Sequence, residues 1–294
     1  MQFGKVENPA EIEFVLPEDH LQTSKILNSK IKTDLQNINV GCAKWNRQDL
    51  KNFYPRGTKD ELTYYSTQFN SVELNATFYR FFPKEQFETW AEKVESDFKF
   101  FPKVPRYISH IKRLKNVEEQ TNEFIVSLLS LKEKLGMVFL QMPENFHVKN
   151  IDSLKSYIEN WPKEIPLAVE LRHTDWYTNP EIADNLNDFL IKKNVASIIT
   201  DSAGRRDLLH MRLTNDTAFI RYVGANDESD FERLDDWVKR IKQWQKLGLK
   251  NLYFFVHQNI ELQSPFLSAY FIEKLNKELN VNLKIPKTKS NEKS

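Results

Sequence analysis

Residues 167–173 read Leu-Ala-Val-Glu-Leu-Arg-His. Side chains alternate between the two faces of a strand, so Leu167, Val169 and Leu171 share one face while Ala168, Glu170 and Arg172 share the other. A strand of this kind packs its aliphatic face on helices and turns its charged end into an enclosed space, as the parallel strands of a barrel do. The same test applied to residues 71–75 puts Val72 and Leu74 outward and Glu73 and Asn75 inward. In residues 218–222 it puts Ile220 and Tyr222 outward and Phe219 and Arg221 inward.

Reading outward along the chain gives eight β-rich apolar runs: Ile38–Cys42, Ser71–Asn75, Phe98–Lys103, Met137–Gln141, Leu167–Leu171, Ala196–Asp201, Ala218–Tyr222 and Leu252–His257. Amphipathic helix-length stretches separate them, among them Lys59–Phe69, Val117–Leu135, Pro180–Lys193 and Phe231–Leu247. Pro180 and Pro265 suit a first helical turn, with Asn179 and Ser264 as cap residues. The gap from Asp201 to Ala218 is short for a helix. Eight β-then-α units over about 250 residues predict an α/β fold, a (β/α)8 TIM-type barrel with parallel strands. A doubly wound open sheet would need fewer strands or a linker between halves, and no Pro/Ser/Gly-rich linker occurs. The predicted organisation is an extension over 1–35 with a helix near Asp19–Lys30, a single barrel domain over 36–285, and a polar, Lys-rich tail over 286–294 expected to be disordered.

Composition narrows the chemistry. The chain of 294 residues carries 42 Lys+Arg against 41 Asp+Glu, a net charge of +1. That balance disfavours a generic polyanion binder, although a local basic patch is compatible with it. No apolar run reaches the roughly 18 residues of a membrane helix and the start lacks a signal-peptide centre, so no membrane association and a cytoplasmic location are expected. Cys42 is the single cysteine, which excludes multi-cysteine metal sites and intramolecular disulfides. Seven scattered glycines form neither a dinucleotide fingerprint nor a P-loop.

Polar residues at strand C-terminal ends carry function in such a barrel. Glu73, Glu170 and Asp201 are the candidate catalytic carboxylates. Asn75, Tyr79, Lys103, Arg106, His110, Arg172, Trp176, Arg221 and His257 are the candidates to hold a ligand. Seven of the twelve arginines fall at or just after strand ends, and a planar guanidinium suits carboxylate or phosphate. A self-contained ion-pair network among Glu73, Glu170, Lys103 and Arg221 would call for the same residues, because none of these charges is cheaply buried alone.

Several strand-end segments also resemble one family. Gly41-Cys-Ala-Lys-Trp45, Phe53-Tyr-Pro55, Val72-Glu-Leu-Asn-Ala-Thr-Phe-Tyr79, Lys103-Val-Pro-Arg106, Ile108-Ser-His110, Leu140-Gln-Met-Pro143, Glu170-Leu-Arg-His173 with Trp176, and Asp201-Ser202 are similar to the YecE-like family, domain of unknown function 72. The resemblance runs from about Asn39 to Asn259. It implies a TIM-type barrel and a polar pocket lined by the Glu-x-Asn, Lys-x-Pro-Arg, Glu-x-Arg and Asp-Ser residues, and it implies no reaction. Strand seven departs from the pattern, with Arg221-Tyr-Val-Gly224 where relatives show Arg-x-His-Gly. His257 on strand eight can restore an imidazole there.

Three functions fit these residues. The first is a hydrolase or lyase of a phosphorylated or nucleotide-like anion, held by Lys103, Arg106, Arg172 and Arg221, with Glu73 or Glu170 exchanging a proton. This requires one carboxylate to escape pairing or to have a raised pKa, which burial beside Phe100, Phe101 and Trp176 favours and the neighbouring arginines oppose. The second is a non-catalytic protein binding nucleic acid or an anionic metabolite, with Trp45, Tyr79, Tyr107 and Trp176 stacking beside Lys112 and Arg113. The third is a metal-assisted isomerase or endonuclease. No cofactor is predicted, but a divalent metal is possible, held by Glu73, Glu170, Asp201 and His257 or His110. Strands four and seven end in Gln141 and Arg221, which makes a glycosidase carboxylate pair a poor fit, with Glu73 and Glu170 the one pair that keeps it open. Cys42 shows no paired histidine by spacing, and His20, His147 and His210 show no constellation.

Overall fold

The computed structural model describes residues 3–28 and 34–288. Its eight strands are β1 (Asn37–Cys42), β2 (Ser71–Leu74), β3 (Lys99–Pro102), β4 (Val138–Gln141), β5 (Leu167–Glu170), β6 (Ala196–Ser202), β7 (Thr217–Gly224) and β8 (Asn251–Gln258). All neighbours are parallel, in the order β3-β2-β1-β8-β7-β6-β5-β4. Two isolated bridges, Phe100 with Leu135 and Lys103 with Phe139, join the remaining edges. The sheet is therefore curled into a nearly closed barrel, and the predicted (β/α)8 fold is the one observed.

The principal helices are α1 (Leu21–Asn28), α2 (Glu61–Gln68), α3 (Lys84–Glu92), α4 (Glu118–Leu128), α5 (Ile151–Asn160), α6 (Pro180–Lys193), α7 (Ser229–Leu247) and α8 (Ser264–Leu279). Asn179 caps α6 by accepting from the Glu181 amide at 3.0 Å, while Ser264 does not cap α8 and donates to Glu261 instead. The short gap after β6 holds only a 3-10 turn, Ala203–Leu208. Gly248, at φ 113°, ends α7 in the left-handed region that favours glycine.

Two apolar compartments follow from the alternation of side chains. Leu167, Val169, Ile220, Tyr222 and Phe254 lie in the outer one, against Trp237 and Trp244 of α7 and Phe271 of α8. Phe101, Phe139, Phe219 and Phe255 fill the lumen, with Ala168, Ala196 and Ile198 completing the cluster. Phe101 packs on Phe255 at 4.8 Å and on Phe219 at 5.9 Å between ring centroids. Rings from β3, β4, β7 and β8 thus occupy the space that small residues on β5 and β6 leave, so the lower barrel is a packed core and not a channel. Polar lumen residues can only occur above this floor, at the strands' C-terminal ends.

Of the N-terminal helix expected at Asp19–Lys30, residues 21–28 are helical, and 29–33 lie outside the described residues. The expected disordered tail falls mostly outside them too, at 289–294. Its start packs on the barrel, where the Lys287 amide donates to Gln68 at 3.0 Å. Among the described residues no helix is long and apolar enough to cross a membrane.

Candidate functional site

Arg221 points into the lumen from β7 directly above Phe219, as its parity requires. Its Nε and Nη2 donate to both oxygens of Glu73 at 2.8 Å, and its Nη1 donates to Glu170 Oε2 at 2.7 Å. All three residues are buried. Glu73 also accepts from Asn75 Nδ2 at 2.7 Å and has His257 Nε2 at 3.0 Å. Glu170 accepts from Gln141 at 2.8 Å and from Arg172 Nε at 2.7 Å. His257 stands across from Val223 in the β7–β8 register, and its Nε2 lies 3.1 Å from Arg221.

Burial alone would push both carboxyls up, as a catalytic acid requires. The charges on Arg221 and His257 hold Glu73 well below the usual carboxylate range, and those on Arg172 and Arg221 hold Glu170 below it. Of the two opposing influences, the arginines outweigh the aromatic surroundings, and no upward shift occurs. Both carboxylates are ionised at neutral pH and already engaged by hydrogen bonds.

Lys103 has the opposite environment. It enters beside Glu73 and Gln141, and its Nζ donates to the neutral Gln141 Oε1 at 2.7 Å. Its other close partner is the Phe78 ring, 4.0 Å from Nζ. Burial, followed by repulsion from Arg221 and Arg172, lowers its pKa to about 7. His110, beside it, is pushed down to about 4 by burial and by the charges of Lys103 and Arg172, and is neutral at physiological pH. The Arg172 side chain lies partly open at the mouth with the Phe3 ring 3.8 Å from its guanidinium carbon. The N-terminal segment therefore crosses this face. It is anchored where Gly204 N donates to Gly4 O at 2.8 Å.

Other expected site residues lie elsewhere. Asp201 faces outward from β6, because Ile198 and Arg221-side neighbours take the lumen parity and Asp201 takes that of Ile199. It is buried with Arg233 at 2.7 Å, Trp237 Nε1 at 2.7 Å and Arg206, a network that ties α7 to the barrel wall. Trp176 is fully buried, donates to Phe146 O at 2.7 Å and stacks on Phe146, so it is a packing residue. Tyr79 and Arg106 are exposed on the rim. The proposed metal set does not assemble: Glu73 and His257 surround a guanidinium, Asp201 is on the far side of the wall, and His110 lies beside Lys103. Cys42 is buried next to Ser268, and burial raises its thiol to about 12, which removes it as a nucleophile.

The model of a protein family of unknown function, DUF72, matches residues 39–291. The chain belongs to this DUF72 family. The UPF0759 protein YecE of Escherichia coli K12 is 29% identical over 234 residues, covering 73% of this chain and 85% of YecE. A DUF72 family protein (EF0366) from Enterococcus faecalis V583 superposes with a TM-score of 0.67 at 21% identity, covering 86% of this chain and 98% of that one. Another (TM1631), from Thermotoga maritima, does so with 0.64 at 25% identity, covering 82% and 100%. The family and the barrel are thereby settled, and no reaction comes with them.

Removing Arg221 leaves two buried carboxylates without their shared counter-charge. Arg221→Ala is expected to cost about 3–5 kcal/mol in urea unfolding, or to prevent folding. A loss below about 1 kcal/mol would mean that water reaches the pair and that the network is not sealed.

Proposed function

We propose that this DUF72 member binds a small phosphorylated or nucleotide-like anion at the mouth of the barrel and acts on it as a hydrolase or lyase. One observation carries the reading: Lys103 is a buried cation bonded to an amide while both lumen carboxylates are consumed by arginines. An anion would supply the charge that Lys103 lacks, and Arg172 and Arg106 on the same rim would grip its remaining oxygens. Glu73 and Glu170 then act as fixed ionised supports that orient Arg221 and Arg172. The proton is handled by Lys103, poised near neutrality, and by the neutral imidazole of His110.

Sulfate is a suitable probe, because its charge is constant over the working pH range. Its affinity should fall as pH rises from about 6 to 9, as Lys103 loses its proton, while Arg172 stays charged and His110 stays neutral throughout. Lys103→Met should weaken binding at the acid end by about 10- to 100-fold and abolish the pH dependence. Binding that is flat with pH, or equal in the variant, would overturn the reading.

A second reading rests on the rim rather than the lumen. Tyr79 is 76% exposed and Tyr107 36%, and Lys112 Nζ lies 5.6 Å from the Tyr107 ring, the pairing of aromatic and cation that single-stranded nucleic acid uses. On that reading a short single-stranded oligonucleotide binds with a steep salt dependence, and Tyr79→Ala lowers the affinity at least about fivefold without changing sulfate binding. Salt-independent or Tyr79-independent binding would exclude it.

A further inference from the structure

His147 follows β4, and His173 and Asp175 follow β5, so adjacent strands bring all three to neighbouring loops of the same barrel face. Among the described residues they form the one group of three histidine or acidic residues whose ligand atoms all lie within 4.8 Å of one another. The two imidazole rings are 3.9 Å apart between centroids. Asp175 Oδ2 sits between them, 3.4 Å from His147 Nδ1 and 3.3 Å from His173 Nδ1. Two ligands each about 2.0–2.1 Å from a tetrahedral zinc ion are about 3.3 Å apart, so both separations match the edge of a coordination tetrahedron.

Hydrogen bonding sharpens the case. The Asp175 amide donates to His173 Nδ1 at 3.1 Å, so in that contact the nitrogen presents its lone pair. It cannot at the same time donate to Asp175 Oδ2. A nitrogen acceptor and a carboxylate oxygen thus lie 3.3 Å apart, two electron-pair donors that a shared cation would satisfy together. Coordination would replace the local amide contact with a stronger bond to the same lone pair. His147 and Asp175 are substantially exposed, which leaves an entry path and room for water or an exogenous ligand.

We infer that His147, His173 and Asp175 form an open two-histidine, one-carboxylate site for a divalent transition ion of the zinc or cobalt kind. Its donor set suits such ions rather than magnesium or calcium, which favour oxygen ligands. Three protein ligands leave a position for water. The site stands independently of the anion-binding reading, since none of its ligands belongs to the Lys103 cluster.

The test uses the full chain without an affinity tag, titrated with Co2+ alone and followed by visible absorption. One equivalent should bind with the intense spectrum of a low-coordinate ion and be displaced by Zn2+. His147→Ala and Asp175→Asn should each weaken binding at least about tenfold and remove that spectrum. Metal should raise the melting temperature of the parent and not that of the variants, which should match the parent when metal-free. Binding of equal affinity and spectrum in both variants, or the absence of saturable binding up to about 1 mM, would overturn the proposal.

Discussion

Arg221 reaches from β7 to two carboxylates that enter the lumen from β2 and β5, closing a bridge across the barrel between segments 148 and 51 residues away in sequence. A guanidinium with both faces of its fork occupied is the condition under which two buried carboxylates can remain ionised. The rest of the mouth is arranged around that bridge. Asn75, Gln141 and His257 approach the carboxylate oxygens, and Arg172 closes the open side of Glu170. The aromatic floor of Phe101, Phe139, Phe219 and Phe255 keeps water out from below.

The same saturation separates the groups of the mouth into two kinds. Groups that are fully matched hold geometry, and groups that are not matched can respond to a ligand. Glu73 and Glu170 belong to the first kind. Lys103 belongs to the second, because the negative charge within its reach is already claimed and its partner is an amide oxygen. On the proposed anion-binding reading the barrel mouth is structural in its centre and responsive at one edge, so the ion-pair account of this cluster and the ligand-binding one are compatible. The Phe3 ring lies over Arg172 at that edge.

Much of this was legible in the chain. The period of two in residues 71–75, 167–172 and 218–222 places Glu73, Glu170 and Arg221 in the lumen, where the structure has them, because each strand sets polar against aliphatic positions cleanly. Residues 196–202 offer no such contrast. Asp201 could be assigned to the outer wall only by carrying the parity of Ile199 forward and matching it to Arg233 and Trp237, four residues apart on α7. Trp176 misled for a related reason: its place after a strand end resembled a rim position, while its indole N–H was committed to Phe146 O. The direction of the carboxylate shifts depended on how many arginine nitrogens reach each oxygen, which spacing does not encode. His147 and His173 are 26 residues apart and meet only because β4 and β5 are neighbours. Two histidines shortly after consecutive strands were the signal available.

Everything at the barrel mouth turns on one balance of charge: the lumen carboxylates are spent on arginines and leave Lys103 uncompensated. It is tested most directly by titrating the Lys103 side chain in the intact protein, using lysine labelled with carbon-13 at Cε and assigned with Lys103→Met. The account predicts a midpoint near 7, moving upward when sulfate is added. A midpoint close to the 10.4 or so of an ordinary lysine would mean that a carboxylate or water serves Lys103 after all, and would contradict it.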